Sequence, residues 1–302
     1  MIDKILYNEA SATKLGWTPE WFGAYDFDDN LLKKIRAFQR EHGLTADGMC
    51  GPTTFRRIWA VRESELEEYE HQEVRKGSSN HIIYNNEYYP IKWDKVVLPF
   101  NAGGLKLTKG YKKVTKQRKP KMFVSHWDVC LSSKSCWKVL NRRGLSVHFA
   151  IDNDGTIFQF LDMNHIAYHA GGKFNSPSVG VEISNAYYPK HNPWYKRHGF
   201  GERPLVKNAH VHGRSMKPFM DFYPAQVGAL KALMKAVHEA MPWIPLECPL
   251  DENGETSYTV DKDASRNRFS GFVSHYHLTK RKIDCANLDL KSLLEDIKNE
   301  AD

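Results

Sequence analysis

Residues 30–44, NLLKKIRAFQREHGL, set Leu31, Leu32, Ile35 and Phe38, then Gln39 and His42, at helical spacing, and Gly43 supplies a stop signal. The pattern predicts an amphipathic helix. In TADGMCGPTTFRRIWAV, Asp47-Gly48 and Gly51-Pro52 mark tight turns, and Thr53 or Thr54 can cap a second helix carrying Phe55, Ile58 and Trp59. Two helices about a glycine-rich turn make a small all-α module. Residues 62–80, RESELEEYEHQEVRKGSSN, are dominated by charge and end in Gly-Ser-Ser, which predicts a solvated helix running into a linker. The β-branched and aromatic residues of HIIYNNEYYPIKWDKVVLPF, broken by Asn85-Asn86 and Pro90, predict a short hairpin entering a second domain.

From residue 120 onward, strand-like runs (MFVSHW, SVHFAID, TIFQFL, SVGVEIS) are interspersed with helix-like ones (SSKSCWKVLNRRG, PAQVGALKALMKAVHEAM, LKSLLEDIKNE). This is an α/β pattern. Asn153-Asp154-Gly155 joins two of the strands as a hairpin. The resulting division is 1–62 for the helical module, 63–95 for a charged linker and hairpin, and 96–302 for the α/β domain.

Composition narrows the function classes. At 302 residues two domains are expected, and no run approaches the ~18 apolar residues of a membrane span. The N-terminus has scattered apolar residues and acidic Asp3 and Glu9, so no signal peptide is expected. Five cysteines (Cys50, Cys130, Cys136, Cys248, Cys285) form neither an even disulfide framework nor paired CxxC motifs, which fits synthesis in a reducing cytoplasm. The net charge of +7 favours an anionic partner. Much of it lies in residues 106–121, a lysine-rich run without an acid, read as a solvated basic segment.

Two histidines stand at strand ends: His126 after MFVS and His275 after GFVS. Lys282 and Asp284 follow within ten residues of His275, and a short loop can return that acid to the histidines. Two imidazoles and one carboxylate are a known ligand set for catalytic zinc, leaving a fourth position for water. His277 is an alternative ligand, because HYH offers two imidazoles on one face if extended.

Two stretches resemble known families. FQREHGLTADGMCGPTTFRRIW is similar to the FQ-x3-GL-x2-DG-x2-G-x2-T pattern of the helical peptidoglycan-binding domain. SHWD, SVHFAIDNDGTIFQFLD, AYHAGG, SVGVEISN and SHYHLTKRKIDCANLD resemble, in order, the motif series of type-2 N-acetylmuramoyl-L-alanine amidases, whose family includes peptidoglycan-recognition proteins and phage lytic amidases. The resemblance implies a mixed central sheet flanked by helices, with a surface zinc groove. It implies zinc ligands at His126, His275 and Asp284, with Glu182 as proton carrier and Lys282 as oxyanion stabiliser. His148 and His169, in VHFAID and AYHAGG, are expected to line the groove and contact substrate. Some phage amidases of that family use a cysteine as third ligand, so the resemblance also makes Cys285 an alternative; the intact Lys-x-Asp spacing favours Asp284, and the Ser-His context favours His275 over His277.

The activity so implied is zinc-dependent hydrolysis of the bond between N-acetylmuramic acid and L-alanine, in the manner of a phage endolysin. Such a protein is expected to act as a monomer, to wait in the host cytoplasm, and to be released to the cell wall. The alternative is a peptidoglycan-recognition protein that binds without cutting, but such relatives usually lack a zinc ligand and here each position is filled. Nucleic acid is not expected as a partner, since no aromatic-basic recognition motif is present. No role is derived for residues 187–221.

Overall fold

A computed structural model describes residues 2–66 and 79–300; most of the charged helix and linker expected over 62–80, residues 67–78, lies outside them. Three helices open the chain: α1 (Lys4–Leu15), α2 (Asp29–Glu41) and α3 (Pro52–Glu65). Gln39 shows why the middle pair folds as it does. Its Nε2 donates to Asp47 Oδ1 (2.8 Å), Met49 O (3.0 Å) and Thr54 Oγ1 (3.1 Å), and its Oε1 accepts from Gly48 N–H at 2.9 Å. A single buried amide thus stitches α2 to the turn and to the start of α3. Gly48 sits at φ +81°, a conformation that an L side chain rarely adopts.

A hairpin of β1 (His81–Tyr84) and β2 (Glu87–Pro90) follows, turned by Asn85 and Asn86, both at positive φ. Next come β3 (Val96–Val97), β4 (Tyr111–Lys112), β5 (Met122–Trp127), α4 (Ser133–Arg143), β6 (Phe149–Ile151), β7 (Ile157–Gln159), β8 (Ile166–Ala167), α5 (Gly172–Asn175) and β9 (Ser178–Ile183). Residues 187–221 form α6 (Asn192–Arg197) and the short strands β10 (Leu205–Val206), β11 (His210–Val211), β12 (Arg214–Ser215) and β13 (Phe219–Met220). The chain ends with α7 (Pro224–Ala240), β14 (Gly271–Ser274), α8 (His275–Leu278) and α9 (Leu290–Asn299).

Six strands form a mixed sheet in the order β14-β5-β9-β6-β7-β3, with β14, β5, β9 and β6 mutually parallel and β7 antiparallel to β6. Because side chains alternate along a strand, Phe123, Trp127, Val179, Val181 and Ile183 enter the core shared with α7 and α9. His126 and Glu182, paired in register, point to the opposite face. On that face α4 packs against β6 and β9, α5 against β9 and α8 against β5, and α1 packs in turn on α4.

The N-terminal module does not stand apart. Leu31, Ile35 and Phe55 belong to one hydrophobic cluster with Val139, Leu140, Ala150 and Phe158 of the α/β domain. Polar contacts reinforce the seam: Trp59 Nε1 donates to Ser135 Oγ (3.0 Å), Arg142 Nη1 to Leu15 O (3.1 Å), and Tyr188 OH to His42 O (2.6 Å). The Arg57 guanidinium lies over the Tyr188 ring, 4.6 Å from its centroid.

The basic segment at 106–121 is solvated only in part. Lys106, Lys109, Lys112, Lys113, Lys116 and Lys119 are exposed. Arg118 instead turns inward and donates to the carbonyls of Asn164 (3.3 Å), Ser176 (2.7 Å), Ser178 (2.9 Å) and Met163. Five donors in a planar fork can satisfy several carbonyls at once, which lysine cannot do.

Candidate metal centre and its surroundings

His126 is set by the end of β5, and His275 begins α8 directly after β14; the Ser125–Ser274 pairing makes the two histidines next in register. Tyr276 N–H donates to Asp284 O at 3.1 Å, which ties the following loop back to the strand ends. As a result His126 Nδ1 lies 2.9 Å from His275 Nδ1, and both lie 3.1 Å from Asp284 Oδ2. All three residues are buried, and their ligand atoms lie within 4.8 Å of one another. Tetrahedral ligands at about 2.0–2.1 Å from an ion stand roughly 3.3 Å apart, so this spacing fits a divalent cation with little adjustment.

Electrostatics favour the same reading. Burial alone would raise the Asp284 pKa, but His275, His126 and Lys282 hold the carboxyl well below its usual range. Burial, with His275 second, lowers His126 to about 4. The centre therefore presents an ionised carboxylate and a neutral imidazole, the forms in which these groups bind metal.

The tautomer of His126 follows from its neighbours. Ser178 Oγ donates to Phe174 O (2.5 Å), so it accepts from His169 Nε2–H (3.1 Å). His169 Nδ1 is then an acceptor, and His126 Nε2–H must be its donor at 2.9 Å. This leaves the His126 Nδ1 lone pair free to face Asp284 and His275. His169, expected to contact substrate, has both nitrogens committed to this relay, which fixes the orientation of the His126 ring.

The relay needs Gly180. A Cβ there would lie 2.4 Å from His169 Nδ1 and 2.5 Å from Cε1. Gly180→Ala is expected to push the His169 ring off His126 and to weaken metal binding by about 10–100-fold. Competition against a calibrated chelator measures this, and wild-type affinity in the variant would refute the relay. The signal was present in SVGVEIS, where glycine occupies a position on the same strand face as Glu182.

His148 does not reach the groove. It is 0% exposed; its Nδ1 accepts from Gly180 N–H (3.1 Å) and its Nε2–H donates to His165 O (3.0 Å). Burial, aided by Arg118, lowers its pKa to about 3. The unfolded chain takes up this proton near pH 6.5, so the stabilisation is complete above that pH and is lost as pH falls toward 3. His148→Gln is expected to be less stable than wild type at pH 7.5. Because glutamine does not titrate, that deficit shrinks by about 1–2 kcal/mol at pH 5.5, as read from urea unfolding. A deficit independent of pH would contradict the assignment.

The alternative ligands separate cleanly. HYHL is a helical turn rather than an extended segment, so His275 and His277 do not share a face. His277 Nδ1 accepts from Ser274 N–H (3.0 Å) and its Nε2–H donates to Ser257 O (2.7 Å), which leaves no lone pair for an ion. Cys285 is buried in the hydrophobic core, and burial followed by the Asp284 charge keeps its thiol protonated. All five cysteines, including Cys130 and Cys136, are free.

Glu182 lies beside His126 across the β5–β9 pairing. Its Oε2 is buried without a hydrogen-bond partner among the described residues. Burial, then the negative charges of Asp128 and Asp284, raise its pKa to about 8. Asp128, of the SHWD motif, was not singled out from the sequence. It accepts from the N–H groups of Cys130 (2.8 Å) and Asn185 (3.0 Å) and from Ser184 Oγ (3.0 Å). The Lys282 charge acts on Glu182, His126 and Asp284 together.

The family model described as N-acetylmuramoyl-L-alanine amidase matches residues 116–284, more than half of the chain, and one described as "Putative peptidoglycan binding domain" matches residues 25–58. A "Putative N-acetylmuramoyl-L-alanine amidase" of Rickettsia conorii is 30% identical over 148 residues, covering 49% of this chain and 46% of that relative. The chain thus spans about half the length of the relative it matches. Among solved structures, AmpDh3 of Pseudomonas aeruginosa with anhydromuramic pentapeptide is 21% identical, with a TM-score of 0.39, covering 61% of this chain and 63% of that one. The amidase LysC of Clostridium intestinale is 14% identical, with a TM-score of 0.41, covering 68% and 99%. Matched over more than half its length by that model, with His126, His275 and Asp284 brought together inside the matched segment, the chain belongs to the N-acetylmuramoyl-L-alanine amidase family.

Proposed function

We propose that the protein is a zinc hydrolase that cuts the amide bond between N-acetylmuramic acid and the L-alanine of the peptidoglycan stem. The observation that carries this reading is the convergence of His126 Nδ1, His275 Nδ1 and Asp284 Oδ2 beside the Glu182 carboxylate, whose buried Oε2 has no hydrogen-bond partner among the described residues. Zinc bound there supplies Lewis acidity and lowers the pKa of water to about 7. Glu182 takes the proton of the attacking water and delivers it to the departing amine nitrogen. A carboxylate whose pKa is raised toward neutrality suits both steps, since it must accept and then release a proton near the same pH. Lys282, whose amine has no hydrogen-bond or ion-pair partner among the described residues, stabilises the oxyanion that develops on the carbonyl.

The match at residues 25–58 supports peptidoglycan as the polymer held by the N-terminal module. No described helix is long and apolar enough to cross a membrane. An amidase carrying its own wall-binding module suits the lytic role of a phage endolysin, which we propose as its setting.

The test is incubation of the full chain with purified peptidoglycan, followed by identification of new chain ends. Release of N-terminal alanine is expected. New reducing sugar ends would mean a glycosidase, and binding without new ends would mean a recognition protein.

A further inference from the structure

The segment 187–221, to which no role is assigned, reaches the catalytic loop at one point. β11 and β12 form a hairpin whose two-residue tip is His212-Gly213, both left-handed at φ +55° and +71°. Glycine adopts that conformation freely, whereas for histidine it is uncommon. His212 N–H donates to Tyr258 O at 2.9 Å, and its Nε2–H donates to Lys282 O at 2.9 Å. Within residues 279–283 the remaining hydrogen bonds are local, from Arg281 N–H to Thr279 Oγ1 and from Lys282 N–H to Thr279 O. Among the described residues, His212 therefore makes the only hydrogen bond that holds this loop from outside.

The segment that carries the hairpin is firmly anchored. Arg203 is 2% exposed and donates to Asp221 O (2.9 Å), Gln226 Oε1 (3.0 Å), Ser184 O (2.8 Å) and Asn153. Its guanidinium is stacked on Tyr195 and Tyr223, at 4.4 and 4.2 Å from their centroids. A strained residue at the tip of a rigid support, aimed at one carbonyl of the loop bearing Lys282, is more than a turn closure.

We infer that His212 is a positioning residue that braces the 279–283 loop, so that Lys282 is held where the substrate oxyanion forms. The inference rests on the amidase reading for the task of Lys282, but the brace itself is measurable without catalysis. His212→Gly removes the imidazole while relieving the backbone, so the variant is expected to melt at or above wild type. Hydrogen exchange across residues 279–284 is expected to quicken, with the rest of the α/β domain unchanged. Alanine release from peptidoglycan is expected to fall about 10-fold or more in kcat with little change in KM, since displacement of a catalytic group weakens the transition state more than binding. In a Lys282→Ala background the same substitution is expected to add no further loss.

Unchanged exchange in His212→Gly overturns the brace. Faster exchange with wild-type kcat overturns its positioning role, and an equal kcat loss in the Lys282→Ala background shows that His212 does not act through Lys282. A wild-type protein that releases no alanine fails the amidase reading, while the exchange comparison still decides the brace.

Discussion

Glu182→Gln is expected to retain its fold and its metal while losing about 10²–10⁴-fold in kcat, with KM nearly unchanged. Glutamine keeps the shape of the side chain but cannot take a proton from water. Stability should move the other way. In the metal-free protein the Glu182 pKa is raised to about 8, above its ordinary value, so the charged form is the costly one. Such a group favours the folded state fully below the unfolded pKa and loses that contribution as pH rises through about 8. Glutamine never pays the cost of charging, so the variant should gain on wild type from pH 5 to pH 8 in thermal melts. Equal activity in the variant would remove Glu182 from the mechanism, and a melting difference that ignores pH would remove its raised pKa.

Withdrawing metal from the wild-type protein is expected to abolish alanine release and lower the melting temperature, and added zinc is expected to restore both. Three lone-pair donors at 2.9–3.1 Å from one another repel unless a cation or a proton lies between them. A ligand that binds only the folded state stabilises it by about 4 kcal/mol at 1,000 times its dissociation constant. Asp284→Asn and His275→Ala should each reproduce the metal-free melting temperature and should not respond to zinc. Cys285→Ala should respond normally, because its thiol faces the core. Full activity in protein shown by elemental analysis to be free of metal would sink the zinc reading.

The site was largely legible because its residues sit where strands end. MFVSHW, SVGVEIS and GFVS give β5, β9 and β14 almost to the residue, and register then brings His126, Glu182 and His275 together. The sequence says less where local conformation or burial decides. HYHL turns as a helix, and that separates His277 from His275. VHFAID supplies only Phe149–Ile151 as strand, and His148 is spent on the buried Gly180 N–H, a pairing that spans 32 positions. α1 passed unnoticed because a polar residue interrupts its buried face: Asn8 is 0% exposed and bonds to Gly48 O and Cys50 N. Residues 187–221 hide their order for a related reason. Their strands are two residues long, and their anchor is a buried arginine that any hydropathy pattern reads as surface.

The joint core of Leu31, Ile35 and Phe55 with Val139, Ala150 and Phe158 bears on how such a chain can be rebuilt by recombination. A crossover anywhere between residues 66 and 79 would leave part of that cluster facing foreign side chains, so the N-terminal segment is not a cassette that another chain can accept unchanged. Chimaeras should survive only when the surfaces around Ser135 and Arg142 travel with it.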